Sequence, residues 1–173
     1  MTTRTTTARM SAGQPAPAVE SSTFEYTVYI SSTPEKLWGA LTLNELRKHW
    51  WRGHTVETDW NAGSAITGRF PDGRMEFKGR VLRSERPRML SFEIEEICWS
   101  DAYADEQANR VSFAIQAFGP LVRLTFRNEA TPKLLELVRQ GWPAVLSSLK
   151  SLLETGTPLP LDTVFGPERN PGA

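Results

Sequence analysis

Residues 141–156 run Gly-Trp-Pro-Ala-Val-Leu-Ser-Ser-Leu-Lys-Ser-Leu-Leu-Glu-Thr-Gly, and the large apolar members fall at Trp142, Val145, Leu146, Leu149, Leu152 and Leu153. On a helix of 3.6 residues per turn that spacing is one stripe, with Ser147, Ser148, Lys150, Ser151 and Glu154 on the opposite, wetted side. From Phe24 to Asn128 the pattern is mainly that of short strands. A long one-sided helix that follows a complete set of strands has to bury its stripe on the sheet they form. A functional site is expected between the two.

The first strand spans Thr23 to Ser31, where Phe24, Tyr26, Val28 and Ile30 alternate with Glu25, Thr27 and Tyr29. Thr33-Pro34 then supplies an N-cap and a proline at the first helical position, opening a helix through Leu37, Trp38 and Leu41. A second helical turn follows over Leu43 to Trp50, with Leu46 and Trp50 four apart. Six strand candidates come next: Val56–Trp60, Ser64–Phe70, Arg74–Glu85, Met89–Trp99, Arg110–Ala117 and Leu121–Asn128. Most are separated by turns built on Gly or Pro, as tight antiparallel hairpins require. The polar stretch Ser100 to Asn109 reads as a mobile loop. Pro132 to Gln140 adds helix, and Gly141 with Pro143 is expected to interrupt or kink it before the final stripe. The order predicts an α+β domain: a curved antiparallel sheet of about seven strands gripping a long C-terminal helix, with two short helices after the first strand.

The organisation expected is a disordered arm over residues 1–22, rich in Thr, Ser, Ala and Pro, a domain over 23–156, and a flexible tail over 157–173. At 173 residues the chain is long enough for one sizeable core. Twenty basic and twenty acidic residues cancel, which removes the electrostatic case for a nucleic-acid partner. No apolar run reaches the roughly 20 residues of a membrane span, and no secretory signal is recognisable. With a single cysteine, Cys98, the reading is a cytoplasmic protein without an internal disulfide.

Several separated motifs occur in one order: Tyr29-Ile30-Ser31-Ser32-Thr33-Pro34-Glu35-Lys36-Leu37-Trp38, then Ala40-Leu41-Thr42, His49-Trp50-Trp51, Phe77-Lys78-Gly79-Arg80-Val81-Leu82, and Gly141-Trp142 with Leu149-Lys150 and Leu153-Glu154-Thr155-Gly156. Over about residues 24–156 they resemble the bacterial single-domain relatives of the heat-shock-protein-90 ATPase activator, within the START-like, birch-pollen-allergen-like SRPBCC superfamily. The resemblance implies a helix-grip fold with a deep apolar cavity, and members described as lipid or polyketide binders or as cyclases. It supplies no catalytic residue to carry over.

Inward alternation nominates Met75, Phe77, Phe113, Ile115, Leu124 and Phe126, facing Trp142, Val145, Leu146 and Leu149, as the walls of a ligand cavity, with Trp50 and Trp51 as candidates beside them. Gly79 and Ala117 are expected to leave room in it. Trp50 and Trp51 are neighbours and cannot point the same way, so one should pack while the other lines the mouth. His49 is the candidate acid or base. His54, Cys98, Arg69 and Glu76 are further polar candidates, and Glu93 and Glu95 are read as solvent-facing. Two histidines five apart do not match a zinc spacing, and no nucleophile elbow, phosphate loop or dinucleotide fingerprint occurs. No cofactor or metal is implied. The expected partner is a small hydrophobic or aromatic molecule, with a homodimer left open. A cyclase or aromatase using the same cavity and a chaperone-activator-like interaction module are the alternatives.

Overall fold

Seven strands form one antiparallel sheet in the computed structural model, which describes residues 21–106 and 109–166. The expected arm lies outside the described residues as far as residue 20, and so does the tail from residue 167. β1 (Ser22–Ile30) leads into α1 (Pro34–Thr42) and α2 (Asn44–Trp50). The Thr33 hydroxyl caps α1 by accepting from the Lys36 amide at 3.3 Å. There follow β2 (Thr55–Glu57), β3 (Ala65–Arg69), β4 (Met75–Glu85), β5 (Met89–Ile97), β6 (Asn109–Phe118) and β7 (Leu121–Ala130). The spatial order is β1-β7-β6-β5-β4-β3-β2, so β2 to β7 form a meander and β1 joins it by pairing with β7, Phe24 opposite Asn128 and Ile30 opposite Val122.

The chain closes with α3 (Pro132–Thr155) and α4 (Asp162–Phe165). α3 is one continuous element: the interruption expected at Gly141 and Pro143 does not occur. Proline removes one amide donor from the ladder, and the burial of Val145, Leu146 and Leu149 just beyond it outweighs that loss. Gly156 ends the helix at φ 77°, a left-handed position that glycine adopts without steric cost.

Three departures from strict alternation shape the sheet, one of them at Leu82 in β4, which is left extra where Val81 faces Phe92 and Arg83 faces Ser91. Gly68 pairs with Phe77 but Arg69 pairs with Met75, leaving Glu76 as an extra residue in β4. In β5, Lys78 faces Glu96 while Gly79 faces Ile94, leaving Glu95 extra. Such bulges bend and twist a sheet. Gly79 serves this bend rather than leaving room for a ligand, because a Cβ there would lie 1.9 Å from the Glu93 carbonyl oxygen. Ala117 is exposed near the end of β6 and leaves no interior space either.

Past α3 the chain turns back over it. Leu161 is buried, and Ser148, expected on the wet side, is fully buried with its hydroxyl accepting from the Leu159 amide at 3.2 Å. Arg52 donates to Asp162 (3.1 Å) and to the Gly166 carbonyl (2.8 Å). Leu161 and these hydrogen bonds tie residues 157–166 to the domain, while most of their side chains are exposed.

Candidate functional site

α3 makes its closest approach to the sheet along β1 and β7, so the bent β4–β5 side stands away from it. The space left between α2, the first half of α3 and strands β4 to β6 is a cavity of about 270 Å³. Phe77, Phe92, Ile94 and Ile97 line it from the sheet, and Val138, Trp142 and Val145 from α3. Leu161, Phe165 and Trp51 add to the apolar wall, as do Trp99, Val111, Leu134 and Leu137. The rings are held by one another: Trp142 stacks on Phe126 at 4.1 Å between centroids and leans on Trp51 at 4.6 Å, while Phe77 stacks on Phe92 at 5.9 Å. Gly141 admits Phe165, whose ring would sit 3.3 Å from a Cβ at that position.

A few polar groups break the apolar wall. His54 Nδ1 lies 2.9 Å from Glu76 Oε2, and both side chains are largely buried. The Asn128 amide donates to Asn109 Oδ1 at 2.7 Å. Arg47 is only 4% exposed. Its Nη1 donates to the Leu41 carbonyl at 3.1 Å and its guanidinium lies 5.5 Å from the Trp50 ring, while Nε is buried without an acceptor. Burial pushes Arg47 below the ordinary guanidinium range, to about 10, opposed by the attraction of Glu76, and it remains a cation at neutral pH.

Of the residues nominated from the sequence, Trp51, Phe77, Trp142 and Val145 stand in the cavity wall. Trp50, Phe113, Ile115, Phe126, Leu146 and Leu149 lie in the packed core instead, with Leu124 beside them. Trp50 spends its indole N–H on the Ala40 carbonyl at 2.9 Å, which leaves its neighbour Trp51 to face the cavity. Met75 is 40% exposed and outside the cavity: the extra residue at Glu76 ends the alternation and brings the carboxylate in. His49 is also outside. α2 turns Arg47 and Trp50 inward, so His49 falls on the exposed side. The same rotation leaves Leu46 39% exposed, against the pairing expected with Trp50. Arg69 forms a two-pronged pair with Glu57 away from the cavity, at 2.8 and 2.9 Å. Desolvation, then the Glu96 carboxylate, push the Cys98 thiol up, which disfavours the nucleophilic thiolate. Glu95 is exposed and Glu93 half-buried.

Sequence reasoning passed over Arg47, Arg52, Ile97, Asn109, Asn128, Val138, Leu161 and Phe165 in the wall. One available signal was the pair Glu95-Glu96, two adjacent charges that break the period of two inside β5 and reset Ile97 to the inner face.

The family model described as "Activator of Hsp90 ATPase homolog 1-like protein" matches residues 31–154. The chain belongs to the AHSA1 family. It is a START-like member, with the sheet and long helix just described. Among solved structures it is similar to protein MLL2253 from Mesorhizobium loti, at 22% identity over 76% of this chain and 96% of that one, TM-score 0.64. It is also similar to the Aha1 dimer from Colwellia psychrerythraea, at 21% identity over 78% and 98%, TM-score 0.63. CalU16 from Micromonospora echinospora aligns at 18% identity over 91% and 80%, TM-score 0.69. At these identities the likeness speaks for fold. No curated protein matches the sequence. Among the described residues, no helix is long and apolar enough to cross a membrane.

Proposed function

We propose that this AHSA1 domain binds a small hydrophobic or aromatic molecule in the cavity between the sheet and α3. The observation that carries the reading is the cavity itself: about 270 Å³, walled by stacked aromatic rings and aliphatic side chains, with a few polar groups aside. Small-molecule sites have this make-up, and about 300 Å³ marks the lower end of their usual range. Trp51 and Trp142 offer flat walls, and Phe77, Phe92, Ile94 and Val145 the remaining contacts. Titration with a neutral naphthalene fluorophore tests it. Saturable binding with a change in tryptophan emission, abolished by Val138→Phe in a protein that still unfolds cooperatively, is the expected result; binding that survives the filled cavity contradicts it.

An enzymatic role, as a cyclase-type catalyst acting by shape and one acid or base, is a second reading that the His54–Glu76 pair favours over the exposed His49. Turnover of a polyketide-like substrate that is lost in His54→Gln while ligand binding persists would support it. Self-association is a further proposal, prompted by the dimer reported for the Colwellia psychrerythraea protein and tested by the mass in solution.

A further inference from the structure

The charged side chains of the cavity wall are not equivalent. Arg52 is paired with Asp162 at 2.9 Å, and Glu76 with His54 at 2.9 Å. Arg47 is the exception. It forms no ion pair within 4 Å among the described residues, and its only hydrogen bond there runs from Nη1 to the Leu41 carbonyl. Glu76 attracts it from beyond ion-pair distance. A buried guanidinium with an unused donor edge is costly to maintain, because the desolvation of the charge is not offset by a paired anion. Nη1 being engaged, the remaining edge of the guanidinium, Nε with Nη2, has the spacing that receives the two oxygens of a carboxylate side by side.

Building on the binding reading, we infer that the ligand is an aromatic or otherwise apolar carboxylic acid, its ring body between Trp51, Phe77 and Trp142 and its carboxylate on the Arg47 guanidinium. The carboxylate supplies the acceptors that the fold leaves out, and the apolar body fills the space that α3 leaves against β4 and β5. The size of the cavity restricts the body to one or two fused rings or a short chain. Glu76 is held by His54 and so kept from closing onto Arg47, leaving the guanidinium open to an incoming anion. A neutral or cationic molecule of the same shape would bury Arg47 further without giving it a partner.

The test is a matched series on the full chain: 2-naphthoate, 2-naphthamide, 2-naphthylmethylamine and naphthalene, titrated by tryptophan emission and calorimetry against wild type, Arg47→Lys and Arg47→Met. Wild type is expected to bind 2-naphthoate at least tenfold more tightly than 2-naphthamide, and the amine more weakly still. Arg47→Met should bind naphthalene as well as wild type does and lose the preference for the acid. Arg47→Lys, which keeps the charge without the fork, should retain part of it. Equal affinity for acid and amide in wild type, preference for the amine, or persistence of the acid preference in Arg47→Met would overturn the inference while leaving the binding reading intact, provided naphthalene still binds. Failure of every compound to bind wild type saturably would overturn both. A purely structural Arg47 is recognised separately: Arg47→Met would then unfold at lower urea with the acid preference unchanged in the fraction that folds.

Discussion

The two halves of α3 meet the sheet in different ways. Along its C-terminal half, Leu146 and Leu149 are fully buried in the same core as Ile30, Val122 and Leu124, and Lys150 and Glu154 tie the helix to the end of β1 through the Tyr29 carbonyl and the Ser31 amide. Along its N-terminal half and as far as Val145, the side chains of Val138, Trp142 and Val145 look across open space to Phe77, Phe92 and Ile94. The same helix and the same sheet therefore build a sealed end and a hollow end. What separates them is the bending of β4 and β5 at Glu76 and Glu95 and the insertion of the polar α2 face, with Arg47, at the hollow end. A grip of this kind stores its stability at one end and leaves the other hollow.

The largest difference between the halves should appear on truncation. Leu149→Ala trims a buried leucine to a methyl in the sealed half and is expected to cost about 2–5 kcal/mol in urea unfolding, whereas Val138→Ala, beside existing empty space, should cost about 1 kcal/mol or less. Equal costs would break the comparison. Next in size is the bend itself. Gly79→Ala places a Cβ against the Glu93 carbonyl and should destabilise by roughly 1–3 kcal/mol, as overpacking does; an unchanged midpoint would mean that the strands can separate there at little cost.

Enlarging side chains reverses the order of the halves. Leu146→Phe, in filled space, should lose roughly 1–3 kcal/mol. Val138→Phe, in the cavity wall, should lose less than that or gain, and the sign in a thermal melt measures how empty the hollow end is.

The sequence made the sealed half legible and left the hollow half obscure, for one physical reason. Where strands keep a strict period of two, as β1 does from Phe24 to Ile30 and β7 around Leu124 and Phe126, inward residues can be picked by counting, and those picks are buried at Ile30, Leu124 and Phe126 and half-buried at Phe24, Tyr26 and Val28. Counting on through β4 and β5 selects Met75 and misses Ile97, because an extra residue in each strand shifts the count. Arg47 was hidden by its chemistry: a cation is assigned to solvent unless its partners are visible, and the partner here is the Leu41 main-chain carbonyl. The pairing of β1 with β7, which sets which strands flank α3, involves residues nearly a hundred positions apart and has no local sign.

The smallest effect concerns the clasp at the sealed end. The hydrogen bond from Lys150, followed by that from the Ser31 amide, holds the Glu154 carboxyl below its ordinary 4.5. A depressed carboxyl stabilises the fold above its unfolded value and loses that contribution as pH falls through the folded one, so the Glu154 share is present at neutral pH and declines once the pH falls below the ordinary 4.5. Because the pair is partly exposed, Glu154→Gln should cost under about 1 kcal/mol at pH 7, and the cost should shrink as the pH is taken below the ordinary carboxyl value, read from paired urea curves. A constant difference across pH would show that the carboxylate charge plays no part in the clasp.

The central claim, that one end of the grip is hollow and takes a small apolar molecule, is tested most directly by methyl chemical-shift mapping during titration with naphthalene. The account predicts saturable shifts at Val138, Val145, Ile94 and Ile97 in the cavity wall, with Ile30, Val122, Leu124 and Leu149 at the sealed end unmoved. Shifts scattered over exposed methyls such as those of Leu43 and Val164, or shifts at the sealed end equal to those in the wall, would contradict it.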